Sequence, residues 1–365
     1  MKEIENKLFN KKEDCCGCMG CVNICPQKAI NIKEDDEGFL YPYIDFNKCV
    51  NCNMCKKVCP IKNTYKETDD NKYFGFKLIN SKKRNESTSG GIFTSIAEYI
   101  LDKNGVVFGA SFDENLNIKH MEVTSILELD KIKKAKYVQS NINNVYLKIK
   151  EYLECNRYVL FSGTPCQTHA LKLFLGKDYE KLITVDIICY GVPSPGIWSL
   201  YKKYLEKKYK GKLESFCFRD KRNHNNARTV SFKINGKEIA KPLNEDAFCS
   251  VYFRNCMLRP SCYNCNYCTT NRCSDFTIGD FWGIEKTSPE FNDGDGVSLV
   301  ICHTQKSHKI WEIIKNDGEY FECNKENILQ PRLIKPTEKA RKRPLFMKAK
   351  KYLPFSLVVK IFSKI

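Results

Sequence analysis

Two short segments concentrate the chemistry of this chain. The first, Cys15-Cys16-Gly17-Cys18-Met19-Gly20-Cys21-Val22-Asn23-Ile24-Cys25-Pro26, offers Cys15, Cys18, Cys21 and Cys25 once Cys16 is set aside. The second offers Cys49, Cys52, Cys55 and Cys59, followed by Pro60. Both read C-x2-C-x2-C-x3-C-P, a run that holds cubane [4Fe–4S] centres. A tight loop presents three thiolates to the corners of one cubane, and the fourth cysteine, just past a short helical turn, points to the neighbouring one. Cluster one therefore takes Cys15, Cys18, Cys21 and Cys59, and cluster two takes Cys49, Cys52, Cys55 and Cys25. The crossing brings the cubanes close enough for rapid one-electron transfer. Pro26 and Pro60 turn the chain away from continued helix. Paired cysteines around structural zinc are the alternative, and they leave several thiols without a role. Cys16 reads as a surplus, buried thiol.

A third concentration of thiols lies far downstream. Cys256, Cys262, Cys265, Cys268 and Cys273 fall within eighteen residues. That density predicts a third cluster, with zinc as the chemical alternative. Cys166 and Cys189 stand alone in polar glycine–proline loops. They read either as small buried hydrophobes or as further ligands.

The elements that carry these residues follow from periodicity. Ala29–Ile32 and Tyr41–Ile44 read as short strands around the paired clusters, with Gly38 in the turn. Residues 60–75 are polar, and Lys62–Asp70 reads as a linker. Ser87-Thr88-Ser89-Gly90-Gly91 leads into Ile92, Ile96, Tyr99 and Ile100 at helical spacing. Such a helix start exposes backbone amides that can receive phosphate, or is ordinary capping. Gly105–Ala110 reads as a strand and 145–155 as a helix. Arg157–Phe161 is a strand candidate ending at Ser162-Gly163-Thr164-Pro165-Cys166-Gln167, before an amphipathic helix through Ala170, Leu171, Phe174 and Leu175. Leu182–Ile188 is a continuous apolar strand that runs into Cys189-Tyr190-Gly191-Val192-Pro193, with a helix behind it at Trp198, Leu200, Tyr201 and Leu205. Strand–loop–helix junctions of this kind bind ligands in α/β folds. Leu213–Phe218, Thr229–Ile234 and Val297–Thr304 are later strand candidates.

Composition bounds the rest. The chain has 365 residues, of which 42% are hydrophobic, enough for a substantial core shared between a small and a larger domain. Its 21 cysteines would suggest a disulfide scaffold in a short secreted chain. No segment has the regions of a signal peptide, and reducing cytosol disfavours disulfides, so cluster ligation is the better reading. The formal charge is +17. Each cubane with four thiolates carries about −2, so the holoprotein falls to about +13 with two clusters and about +11 with three. A basic surface steers an acidic redox partner or a phosphorylated cofactor. Nucleic acid is not expected, because no nucleic-acid-binding signature is present. No apolar run approaches the roughly 20 residues of a membrane span, which predicts a cytoplasmic location.

The C-terminus combines a basic run (Lys335, Lys339, Arg341, Lys342, Arg343, Lys348, Lys350) with an apolar one (Leu353, Phe355, Leu357, Val358, Val359, Ile361, Phe362). This predicts either peripheral contact with the inner face of a membrane or with a partner, or a solvated arm ending in a packed helix.

From about residue 10 to residue 330 the sequence resembles the beta-subunit family of coenzyme F420 hydrogenases and dehydrogenases. The two cysteine runs carry the resemblance together with Ser89-Gly90-Gly91, Lys136-Tyr137-Val138-Gln139-Ser140, Gly163-Thr164-Pro165-Cys166-Gln167, Gly191-Val192-Pro193-Ser194, Arg259-Pro260-Ser261-Cys262-Tyr263-Asn264-Cys265 and Gly279-Asp280-Phe281-Trp282-Gly283. Cys189-Tyr190-Gly191 departs from the Cys-His-Gly form frequent in relatives.

The resemblance implies an α+β architecture, in which a small N-terminal dicluster ferredoxin-like domain (1–66) is fused to a mixed α/β flavin-binding body. The body's two parts span 72–155 and 156–330, and a tail covers 331–365. It implies FAD, with Ser89, Gly90, Gly91, Lys136, Gln139, Ser140 and Thr164 around it, and Tyr137 either against a ring of the cofactor or as a core anchor. It implies a third [4Fe–4S] centre on Cys166, Cys189, Cys262 and Cys265, with Cys256, Cys268 and Cys273 as substitutes. The implied activity is a flavin- and iron–sulfur-dependent oxidoreductase without a side-chain nucleophile. It would move electrons between an organic partner, such as coenzyme F420, and ferredoxin or a partner subunit. The alternatives are a non-catalytic iron–sulfur electron-transfer subunit and a redox module of cell-surface polysaccharide biosynthesis.

Overall fold

The computed structural model describes residues 8–65, 70–221 and 229–363. Thirteen strands order the described chain: β1 (Ile30–Glu34), β2 (Leu40–Ile44), β3 (Lys72–Leu78), β4 (Val106–Phe112), β5 (Ile118–Val123), β6 (Val159–Gly163), β7 (Leu182–Ile187), β8 (Leu213–Asp220), β9 (Thr229–Ile234), β10 (Lys237–Pro242), β11 (Phe276–Asp280), β12 (Ser298–Cys302) and β13 (Gly318–Cys323). Eight of them form one mixed sheet in the order β13-β3-β12-β11-β7-β6-β4-β5. Its centre is parallel: β4 pairs β6, β6 pairs β7 and β7 pairs β11 in the same direction. The flanking strands are antiparallel.

Alternation along the central strands assigns side chains to two cores. Val107, Leu160 and Ile183 face the helices Ile92–Asp102 and Gln305–Ile314. Val106, Phe108, Val159, Phe161 and Leu182 face the helices Val145–Glu154 and Pro165–Leu175, and the loop Cys16–Met19 of the N-terminal unit packs into this second core. A separate antiparallel sheet, β8–β9–β10, closes a third core with the helix Pro195–Tyr209. The fold is thus a mixed α/β body carrying a small N-terminal unit, in which β1 and β2 form a hairpin.

Strand boundaries track the sequence closely, with instructive offsets. β3 begins at Lys72, just beyond the linker expected over Lys62–Asp70, and pairs with both β12 and β13. Of that expected linker, 66–69 lie outside the described residues. The strand expected from Arg157 begins at Val159 and extends to Gly163. Strands β5, β10 and β13 had no sequence signal, since each is short, polar on one face and at a sheet edge.

The C-terminal segment forms two helices, Arg343–Tyr352 and Phe355–Phe362. Phe346, Met347, Val358, Val359 and Phe362 are buried in the third core, so the arm ends in a packed helix. No helix among the described residues is long and apolar enough to cross a membrane.

Candidate functional site

The N-terminal unit builds its thiol cages with little other structure. Met19 and Asn53 adopt left-handed conformations immediately before the short helices Gly20–Ile24 and Met54–Lys57, which turns each loop back on itself. Cys15, Cys18, Cys21 and Cys59 line one small cavity together with Cys16, Cys55, Met19 and Pro42. Burial, then the fields of Cys15 and Cys59, push the Cys21 thiol far above its ordinary range. Cys25, Cys49 and Cys55 pack on the neighbouring core of Leu8, Ile30 and Ile44, and Cys52 is exposed beside them. Cys59 of the second run thus joins Cys15, Cys18 and Cys21 of the first, while Cys55 lines the same cavity and Cys21 also packs on the Leu8–Ile30–Ile44 core, so the two groups adjoin. Among the described residues no three His, Cys, Asp or Glu side chains converge around a point suited to a single metal ion. Four thiols lining one cavity are the donor set of a cubane iron–sulfur centre.

A larger cavity of about 410 Å³ opens where the parallel strands end. Strands β6, β7 and β11 run in one direction, so the loops after Gly163, Ile187 and Asp280 meet at one edge of the sheet. This is the position at which open α/β sheets present ligand-binding loops. The helix after β6 starts at Pro165, with the Thr164 amide donating to Gln167 Oε1 (2.9 Å). Cys166 therefore sits in the first helical turn, its Sγ 3.2 Å from Thr164 Oγ1. After β7 the chain passes Cys189 and turns at Gly191 (φ +115°), where a Cβ would stand 3.1 Å from that of Cys262. The short turn Pro260–Asn264 carries Cys262 and delivers Cys265.

Cys166, Cys189, Cys262 and Cys265 thus line this cavity close to one another, with Cys268 and Cys16 beside them. Burial, then the fields of Cys262, Cys265 and Cys166, raise the Cys189 thiol well above its ordinary value. Burial likewise pushes Cys262 up to about 12. The hydrogen bond with Cys268 lowers Cys265 to about 7. Such thiols deprotonate when a cationic centre offsets their crowding. Cys256 is instead buried in the third core. Neither Cys256 nor Cys273 reaches the cavity. Cys16 lines both cavities, so it forms the partition between the first cage and the larger site.

The rest of the lining is polar and aromatic. Ser89, Gly91, Lys136, Gln139, Ser140 and Thr164 all line the cavity, and Gly90 does not. A Cβ on Gly90 would come within 2.1 Å of Phe76 O and 2.6 Å of Ser298 N, so packing of β3 on β12 demands the glycine. Gln139 is committed elsewhere: its Nε2 donates to Cys16 O (3.0 Å) and its Oε1 accepts from Arg259 Nη1 (2.9 Å). Ser140 bonds His120 Nδ1 (2.9 Å) and accepts from Gln167 Nε2 (3.2 Å). Tyr137 stacks on Tyr252 at 5.1 Å and packs edge-on to Phe253, the contacts of a core anchor. Tyr190, at the Cys-His-Gly departure, bonds Asn255 Oδ1 and lies under Arg332.

Cations that the sequence did not single out crowd the same cavity. Arg219 pairs with Asp280 (2.5 Å), and Lys221, just behind, donates to Ser89 O (2.5 Å) and Asp295 O (2.7 Å). Arg332 donates to Thr337 from Nη1, yet its buried Nε has no hydrogen-bond partner among the described residues. Trp282 lines the cavity and is 56% exposed. Asp280 and Trp282 belong to the Gly279–Gly283 motif, which was the one available signal. Arg219, Lys221 and Arg332 lie in unremarkable sequence.

Comparison with known proteins assigns both regions. Residues 14–63 match the family model of the 4Fe-4S dicluster domain. Residues 156–327 match that of the C terminus of the coenzyme F420 hydrogenase/dehydrogenase beta subunit. The chain joins a 4Fe-4S dicluster domain to the C-terminal domain of an F420 hydrogenase/dehydrogenase beta subunit. All eight cysteines of the paired runs lie in the dicluster domain, which makes this an iron–sulfur electron-transfer protein. Cys166, Cys189, Cys262 and Cys265 lie in the beta-subunit domain, whereas Ser89 to Ser140 fall between the two matches. A solved chain of the F420-reducing [NiFe] hydrogenase complex from Methanosarcina barkeri is similar at 16% identity, over 82% of this chain and 89% of that one, with a TM-score of 0.44. No curated protein matches the chain.

Proposed function

We propose that the protein is a flavin- and iron–sulfur-dependent oxidoreductase that exchanges electrons between an organic redox partner and ferredoxin or a partner subunit. One observation carries the reading: one cavity is lined by thiols together with cations, hydroxyls and aromatic rings, and Cys16 lines both this cavity and the first cage of the dicluster domain.

The thiols of Cys166, Cys189, Cys262 and Cys265 fit a third [4Fe–4S] centre, with Cys268 as the adjacent substitute. Ser89, Gly91, Lys136 and Thr164, with Arg219 and the unpartnered Arg332 Nε, fit the phosphates and polar edge of FAD. A bound flavin supplies two-electron hydride chemistry and the clusters carry single electrons. The protein's part is placement. Lys136, its ammonium against the carbonyls of Lys131 and Lys133, offers a positive charge at the cavity edge. Gln139 and Ser140 fix the wall between cage and cavity rather than touching cofactor. The stacked rings of Tyr137, Phe253 and the buried Tyr252 form an apolar side of the cavity. The organic partner is a deazaflavin such as coenzyme F420, which the name of the matched domain favours.

Anaerobic purification with iron, sulfide and flavin quantified together tests this. About twelve iron atoms and one FAD per chain are expected for three clusters. About eight irons without flavin would leave only an electron-transfer subunit. Turnover with reduced deazaflavin, NADH and reduced ferredoxin then identifies the organic partner.

A further inference from the structure

The two C-terminal helices divide their apolar residues between two faces. Phe346, Met347, Val358, Val359 and Phe362 pack into the third core, and the rings of Phe346 and Phe362 stand 5.3 Å apart. Leu345, Tyr352, Leu353, Leu357 and Ile361 point outward, Leu345 being 59% and Tyr352 76% exposed. Packing therefore accounts for only half of the apolar pattern. Five large apolar side chains along two consecutive helices form one unpartnered stripe.

The cations of this segment divide in the same way. Arg343 pairs with Glu37, while Lys350 and Lys351 bond Asp36. These three clamp the segment onto the β1–β2 turn of the dicluster domain. Arg341, Lys342, Lys348 and Lys360 are exposed, with no ion-pair partner among the described residues. On the first helix Leu345, Lys348 and Tyr352 recur at i, i+3 and i+7, one face of a 3.6-residue helix, with Arg341 in the turn just before it. No Asp or Glu occurs anywhere in 339–365. A face that interleaves free cations with leucine, isoleucine and tyrosine, without any acid, complements an anionic, apolar layer beneath a negatively charged surface.

We infer that the C-terminal helix pair is a peripheral docking face for an anionic lipid surface. The apolar stripe enters the acyl boundary and the four cations meet lipid phosphates. Because Arg343, Lys350 and Lys351 anchor the same segment to the dicluster domain, docking would hold the cluster end of the protein at a fixed attitude to the membrane. The inference does not depend on flavin or on a third cluster, so it can fail while the redox reading stands.

The test uses the full-length holoprotein, prepared anaerobically, and sedimentation with vesicles of phosphatidylcholine alone or mixed with phosphatidylglycerol. Binding to the mixed vesicles is expected, weakening as salt is raised. Leu353→Ser/Leu357→Ser/Ile361→Ser should weaken partitioning at least about ten-fold. Arg341→Gln/Lys342→Gln/Lys348→Gln should weaken it roughly five-fold per cation removed. All substituted positions are exposed, so iron content and thermal midpoint should match the parent. The inference is overturned if the holoprotein stays in the supernatant, if it binds neutral and anionic vesicles alike, or if the serine variant binds as the parent does. A stable dimer held together by this stripe, seen in sedimentation equilibrium without vesicles and lost in the serine variant, would also overturn it.

Discussion

Arg259 and Gln139 meet side chain to side chain, Nη1 to Oε1 at 2.9 Å, at the seam between the dicluster domain and the body. Each also holds the first cysteine loop. Arg259 Nε donates to Cys15 O (2.7 Å), its guanidinium lies 4.1 Å from the Tyr41 ring centroid, and Gln139 Nε2 donates to Cys16 O. Arg259 is fully buried. Its charge is compensated by carbonyls, the Gln139 amide oxygen, the Phe39 and Tyr41 rings and the neighbouring thiols, whose fields favour the charged guanidinium against the cost of burial.

Arg259→Met should uncouple the seam. The substitution strands the carbonyls of Cys15 and Leu40 and the Gln139 amide, a loss of about 3–5 kcal/mol by analogy with broken buried charge networks. The expected outcome is a lower thermal midpoint together with loss of iron from the first cage. Arg259→Lys should rescue little, because an ammonium cannot serve the forked set of acceptors at once. Differential scanning calorimetry paired with iron analysis checks both variants.

Cys15 and Cys16 are adjacent in sequence, but Cys15 lines only the first cage whereas Cys16 also lines the larger cavity. Cys15 bears on Cys21 and Cys59, whereas the main side-chain contact of Cys16 is with Cys166. Cys15→Ser is therefore expected to lose about four irons per chain, and Cys16→Ser to retain its full complement. Equal iron loss in the two would place the ligand register one residue off.

The downstream cysteines should separate in the same assay. Cys189→Ser or Cys262→Ser should cost about four irons, leaving the eight of the dicluster domain. Cys256→Ala and Cys273→Ala, both outside the cavity, should leave iron unchanged. Mössbauer or EPR spectra of each variant would report which centre is gone.

Lys136 gives the site a pH dependence. Burial, reinforced by Lys134, lowers its pKa from the ordinary 10.5 to about 7. An anion bound beside it favours the ammonium and raises that value, so between the two pKa values binding takes up a proton. Affinity for FAD should accordingly fall as pH rises above about 7, and Lys136→Met should bind more weakly below pH 7 and lose the slope. Flavin fluorescence titrations across the range, with calorimetry in buffers of different ionisation enthalpy, measure both effects. A flat parent profile would remove Lys136 from the site.

Much of the fold could be read directly. The apolar runs 159–163 and 182–187 are strands because both faces of a central parallel strand are covered, and the helix at 165 starts where proline and threonine say it should. Edge strands β5 and β13 were invisible because their one-sided burial leaves too few apolar positions. The site was read in part. Ser89, Lys136 and Thr164 reach the cavity, but Gly90 answers to the β3–β12 backbone and Gln139 to the cysteine loop, and no local pattern distinguishes these duties.

The sequence by itself determined where thiols cluster in two tight loops, since ligand spacing within a loop is a local property of a dozen residues. Tertiary structure alone decided which distant groups share a cavity. Cys166 and Cys189 converge because β6 and β7 lie side by side in parallel, Cys262 is brought to them by the Pro193–Leu258 bridge, and Arg219 and Arg332 join them from elements with no sequence relation to the rest. Side-by-side placement of strands is set by the burial of both sheet faces, an energy summed over the whole molecule that no single stretch of residues records.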